Sequence, residues 1–183
     1  METFEYVKVS VVFIFAHKNV LLDPKKHILS EVDKLVNRYG VKSVTMDDIA
    51  RHLGMSKKTI YQYFENKNKL IVTLMKEKIA AQVASINQGI EGVTNAVEEL
   101  LLAVEKMEEI LSQANPTLFF DLQKYYPEAW SLFRDFREHI LYQKVLQNLQ
   151  WGIVQKYYRP DINVEIIARL RVEQIDMAFN QQV

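Results

Sequence analysis

Between Ser56 and Phe64 the chain runs Ser-Lys-Lys-Thr-Ile-Tyr-Gln-Tyr-Phe, and these residue types suit one kind of chemistry. Ile60 and Phe64 are four apart, one helical turn, and can share a buried side. That leaves Lys57, Lys58, Thr59, Tyr61, Gln62 and Tyr63 pointing outward or at the edge. Lysine reads guanine edges or holds phosphates, threonine can touch a thymine methyl, and glutamine can pair with adenine. Tyrosine hydroxyls bond phosphate oxygens. No acid interrupts the run before Glu65, whereas a solvated helix usually mixes both signs. The competing reading packs the tyrosines on neighbouring helices and leaves the lysines as ordinary surface, but an acid-free face with two tyrosines flanking a glutamine tips the balance towards a contacted surface. Lys67 follows Asn66 in the first turn of the next helix, where backbone amides and an ammonium together can grip a phosphate. Thr45 can do the same with its hydroxyl and amide, and Met46 beside it is a further candidate reader. Thr45 and Asn66 also read as plain helix caps.

Such a surface must be held by short helices at a fixed angle. Thr45 with Asp48 three residues on reads as a capping-box start; Ile49, Ala50 and Leu53 supply a buried side, and Gly54 permits a turn with φ > 0. Ser56 caps the next short helix. Ala50, Gly54 and Ile60 at these intervals fit a helix-turn-helix, whose second helix enters the major groove, and equally an ordinary αα-hairpin. Upstream, Asp23-Pro24 is a helix entry, with Ile28, Val32, Leu35 and Val36 on one face and Gly40 as the stop. Asn66 starts a helix through Leu70, Leu74 and Ile79 towards Gly89. Further helices are expected over Val93–Gln113 (apolar at Val97, Leu100, Leu101, Val104 and Leu111), from Asn115-Pro116 to about Tyr126, from Pro127 to about Tyr158, where Arg159-Pro160-Asp161 breaks it, and over Val164–Gln182. No strand pair, phosphate-binding glycine loop or tandem repeat is present, so the predicted class is all-α.

Other chemistries find little support. Without cysteine there is no disulfide framework, thiolate metal site or cysteine nucleophile, which fits a reducing cytoplasm. His17, His27, His52 and His139 are scattered without metal-binding spacing. Asp47 and Asp48 sit where a helix dipole favours acids, and Glu98-Glu99 and Glu108-Glu109 read as solvated faces. No cofactor, metal or enzyme activity is expected. The net charge is zero but segregated: Lys25–Lys78 carries 12 Lys and Arg against 6 acids, Ile79–Val183 carries 9 against 14. A basic N-terminal module attracts phosphates. The apolar run Val7–Ala16 is half the length of a membrane span and lacks a signal peptide's basic start, so residues 1–23 are expected to stand apart from the main fold.

The stretch Ile28–Leu74, through Gly40, Val44-Thr45, Ile49-Ala50, Gly54-Met55-Ser56, Thr59-Ile60-Tyr61, Tyr63-Phe64, Lys67 and Leu70, resembles the DNA-binding domain of the TetR (tetracycline-repressor-like) family. The resemblance implies a three-helix helix-turn-helix domain over residues 24–70 and a helical ligand-sensing and dimerisation domain over 71–183, ending short of that family's usual last helix. By position, it places Thr45 on phosphate, Lys57, Lys58, Thr59 and Tyr61 on bases or adjoining phosphates, and Tyr63 and Lys67 on phosphate, with Met46 and Gln62 as extra readers. It implies a cytoplasmic homodimer on operator DNA, released by a small-molecule effector. Aromatic side chains in the second domain suit a ligand pocket; Phe120, Tyr126, Trp130 and Tyr142 are the candidate lining, while Phe119, Phe133, Phe136 and Trp151 are expected in the core. The alternative is a DNA-binding protein of the same fold without ligand control, such as a chromosome-organising factor.

Overall fold

The computed structural model describes residues 23–89, 91–113, 115 and 117–180. The run Val7–Ala16 and the last three residues lie outside them. All regular structure among the described residues is helical, as the periodicity predicts, and none of these helices is long and apolar enough to cross a membrane.

Helix α1 (Pro24–Tyr39) begins as expected: the Asp23 carboxylate accepts from the Lys25 and Lys26 amides, and Pro24 occupies the first turn, where no amide donor is needed. Its apolar stripe Ile28, Leu29, Val32, Leu35 and Val36 is buried, and Gly40 ends it at φ 83°. Helices α2 (Met46–Leu53) and α3 (Lys57–Tyr61) follow, then α4 (Lys67–Gly89). The first half of α4 buries Leu70, Ile71, Val72, Leu74 and Met75. This helix runs across the boundary expected at residue 70.

The second part contains α5 (Ala96–Gln113), α6 (Leu118–Tyr125), α7 (Pro127–Asp135), α8 (Tyr142–Val154) and α9 (Val164–Asn180). The single helix expected from Pro127 to Tyr158 differs in two ways. A π-helical turn, Phe136–Leu141, joins α7 to α8. The rod also ends at Val154, because Lys156 takes φ 65° and the chain folds back. The fold-back needs Gly152: a Cβ there would collide with the Tyr158 ring. Tyr158 Oη then lies 3.2 Å from the Ala96 carbonyl, and the Gln155 amide brackets the same stretch by accepting from Ala96 N and donating to Thr94 O, both at 3.0 Å.

One continuous core joins Ile28, Ile49, Ile60 and Leu70 of the first part to Leu118, Leu122, Ala129 and Phe133 of the second. The stripe expected on α5 is an exception. Ala96 is fully buried and Met107 and Ile110 pack on the core, but Leu100, Leu101 and Val104 are exposed, because among the helices α5 lies chiefly against α8. Phe133 and Phe136 are core residues as expected, whereas Phe119 and Trp151 are half-buried.

Candidate nucleic-acid interface

The α2–turn–α3 unit is fastened at each joint. Thr45 Oγ1 accepts from the Asp48 amide at 3.2 Å while Asp48 Oδ2 takes the Thr45 amide at 3.0 Å and its hydroxyl at 2.6 Å, a complete capping box. These bonds hold the Asp48 carboxyl below the usual carboxylate range. At the far end Gly54 is left-handed (φ 62°, ψ 26°), its amide closes on Arg51 O, and the Met55 amide closes on Ala50 O. Paired closures of this kind satisfy the orphan carbonyls of a helix end. Ser56 then caps α3 by accepting from the Thr59 amide at 3.1 Å. His52 Nε2 lies 2.9 Å from Glu31 and ties α2 to α1.

Helix α3 is shorter than the expected run to Phe64. After Tyr61 the chain tightens into a turn, with the Tyr63 and Phe64 amides both closing on Ile60 O. Ile60 is fully buried and Phe64 nearly so, which sends the rest of the segment outward. Lys57, Lys58 and Gln62 are exposed, Tyr61 is 45% and Tyr63 38% exposed, and Thr59 is half-buried with its hydroxyl 2.8 Å from Ser56 Oγ. The result is a face of two lysines, two phenols and an amide, with no acid of its own. Lys57 is tied across the turn to Asp47, with Nζ 2.9 and 3.0 Å from its two oxygens, which holds the ammonium above its ordinary pKa. Lys58 makes no ion pair among the described residues.

Two expected contacts sit elsewhere. Met46 is 8% exposed and packs in the core beside Ile49, so its side chain cannot reach a base; the position before a buried helix face favoured packing over reading. Lys67 turns its ammonium inward, donating to Val41 O at 2.6 Å and lying 5.4 Å above the Tyr126 ring. Burial there lowers its pKa. Thr45 remains at the surface, although its hydroxyl already serves the cap.

The four aromatic residues expected around a ligand do not converge. Phe120 is exposed under Lys124, Tyr126 is buried against Lys67, and Trp130 packs on Phe133 with ring centroids 5.4 Å apart. Tyr142 does border a depression of about 510 Å³, together with Arg137, His139 and Arg169. The Arg169 guanidinium lies 5.2 Å over its ring. Three of these lining residues belong to or adjoin the π-helical turn, which periodicity could not reveal. No cluster of potential metal ligands occurs among the described residues.

Comparison with known proteins agrees with this geometry. Residues 28–74 match the family described as bacterial regulatory proteins, tetR family. The HTH-type transcriptional regulator YvaF of Bacillus subtilis (strain 168) is 27% identical over 86% of this chain and 82% of its own length. Among solved structures, the fatty acid degradation regulator FadR of Bacillus halodurans superposes with a TM-score of 0.69 at 19% identity, covering 87% of this chain and 84% of that one. FadR of Bacillus subtilis, solved in complex with stearoyl-CoA, has a TM-score of 0.63 at 17% identity, covering 84% of each. With the capped α2–turn–α3 unit inside the matched segment, residues 28–74 form a DNA-binding domain of the TetR family, and the chain as a whole resembles HTH-type transcriptional regulators in sequence and shares the helical fold of these structures.

Proposed function

We propose that this regulator is a repressor that reads operator DNA with α3, binds as a homodimer, and is released by a small molecule held in its second domain. The observation that carries the reading is the face of Lys57, Lys58, Tyr61, Gln62 and Tyr63, exposed on α3 and the turn after it around a half-buried Thr59, with no acid of its own and with capping and turn bonds at both ends of α2 and at the start of α3. In this reading Lys58 and Gln62 reach base edges, Tyr61 and Tyr63 hold phosphates, and Thr45 adds its hydroxyl to the flanking backbone. Two copies would place their reading helices about 34 Å apart, on successive major grooves. An effector that binds better to a conformer with a different spacing weakens DNA binding by its differential affinity alone. Its site is the depression bordered by Tyr142, Arg137 and Arg169. The stearoyl-CoA complex of the B. subtilis FadR makes acyl-CoA thioesters the first effectors to try.

The test is titration of the DNA upstream of the chain's own gene, at stated salt, against a scrambled duplex of equal length. A specific complex that stearoyl-CoA or a shorter thioester dissolves supports both halves of the proposal. Equal affinity for the two duplexes removes the operator reading, and a specific complex indifferent to every thioester removes acyl-CoA control.

A further inference from the structure

The turn between α1 and α2 is gripped from two sides by groups of the second part of the chain and of α4. Asp121, on α6, is 7% exposed, and its Oδ2 accepts from the Lys42 amide at 2.9 Å. From the other side Lys67 Nζ takes the Val41 carbonyl at 2.6 Å and approaches Lys42 O at 3.4 Å. The two charges attract each other across the turn. Asn115 adds a third tie, donating to Asn37 O at 3.0 Å, while its own carbonyl accepts from the Thr117 amide at 2.9 Å. The approach is close enough to restrict Gly40. A Cβ there would lie 3.1 Å from Thr117 Oγ1 and 3.3 Å from Asp121 Oδ2, on a backbone already at φ 83°. Lys42 completes the seam, its ammonium 4.8 Å over the Tyr125 ring.

We propose that Asp121 and Lys67 are positioning residues for DNA recognition: they pin the Gly40–Lys42 turn to α6, so the pose of the reading unit follows α6. The inference rests on the operator reading above and adds how that surface is regulated. A buried carboxylate is costly unless it is hydrogen-bonded, and the Lys42 amide reaches Asp121 Oδ2 only with the turn seated. The turn lies three residues before Thr45, whose capping box sets the start of α2, and α2 sets α3 through Gly54. Two side chains along this path, Val41 and Val44, are buried in the core. A shift of α6 caused by an effector therefore either carries the turn with it or breaks these bonds. In this assignment the Lys67 ammonium acts on protein carbonyls and contributes no phosphate contact.

The experiment compares wild type, Asp121→Asn and Lys67→Met. Asp121→Asn keeps an acceptor for the Lys42 amide and removes the charge; Lys67→Met keeps the apolar stem. Each is titrated with operator and scrambled duplexes over a salt series, and amide hydrogen exchange is followed without DNA. The expected result is a loss of about tenfold in the operator-to-scrambled affinity ratio, an unchanged salt slope because no phosphate contact is lost, and faster exchange confined to Gly40–Leu53. A Lys67→Met slope reduced by about one places Lys67 on a phosphate and overturns the assignment. Wild-type ratios with wild-type exchange in both variants overturn it as well. Failure of the operator reading shows differently: the wild-type chain then prefers no duplex, while the exchange arm still reports whether the turn is pinned.

Discussion

Lys57 and Lys58 are neighbours on α3 with different surroundings, so their replacement should have different effects. Lys57 is already bound to Asp47 at 2.9 Å and must exchange that partner for DNA, whereas Lys58 has no such competitor. Lys58→Ala is expected to lower operator affinity about tenfold, the scale of one good base contact. Asp47→Asn is expected to strengthen binding to any duplex and steepen the salt slope by up to about one, since it releases Lys57 for phosphate. Fluorescence anisotropy at several salt concentrations checks both; equal losses for Lys57→Ala and Lys58→Ala, with Asp47→Asn silent, would show that the ion pair has no part in the complex. Asp48 gives a pH prediction. The Thr45 bonds hold its folded carboxyl below the ordinary 3.8. Its contribution to stability is therefore complete above that value and lost as pH falls through the lower folded one. Melting curves of Asp48→Asn should lie below wild type at neutral pH and converge with it in acid; curves separated by the same interval at every pH would contradict this. Both lysines and the cap were legible as residue types at fixed offsets. The Asp47 tie was not, because it joins positions ten apart across a turn whose geometry no periodicity describes. Met46 was misread for a related reason: the first residue of a helix can face either way until the packing around it is known.

At the scale of elements, start and stop signals carried furthest. Asp23-Pro24, Thr45 with Asp48, Gly54, Ser56 and Asn66 all act where their chemistry predicts, because capping is local and needs only a few neighbouring residues. The π-helical turn at Phe136–Leu141 left no such mark, since its residues continue the same apolar spacing and only the backbone register changes. The rod's end at Val154 was missed for a similar reason. Arg159-Pro160 suggested a later break, but the decisive residue is Gly152, buried inside the helix, where nothing in composition distinguishes it from a tolerated glycine. Gly152→Ala should force Tyr158 out of its seat and disturb the hydrogen bonds that hold the start of α5. Overpacking of this kind costs about 1–3 kcal/mol, a drop of several degrees in melting temperature for a chain of this size. Differential scanning calorimetry reads it directly. A Gly152→Ala variant that melts with wild type would mean that Tyr158 contributes little to the joint. Gly152→Ala combined with Tyr158→Ala should recover part of the loss, because the clash then has no partner.

For the whole molecule, the charge is divided between a basic excess over Lys25–Lys78, which contains the reading helix, and an acidic balance beyond it. The apolar surface is distributed quite differently. Ile166, Leu170 and Met177 are exposed on α9 at spacings of four and seven, which places them along one side of the helix. Scattered apolar residues on a surface need no explanation, but an aligned stripe is typical of an interaction site. The proposed homodimer supplies an occupant, and symmetry makes the idea testable: if the stripe meets its own copy, one substitution per chain alters the contact twice. Leu170→Lys should turn a dimer into a monomer in sedimentation equilibrium and lower the melting temperature only by what the lost association contributed, because the side chain is not in the core of the single chain. On DNA the same variant should keep its affinity for a single half-site and lose the gain from a second, which for linked sites reaches about 10²–10⁴. A Leu170→Lys chain that still sediments as wild type would place the interface elsewhere. One that becomes monomeric yet binds the full operator undiminished would mean that each copy reads its half-site alone, and an effector could then act only through the turn that Asp121 and Lys67 hold, not through the distance between two reading helices.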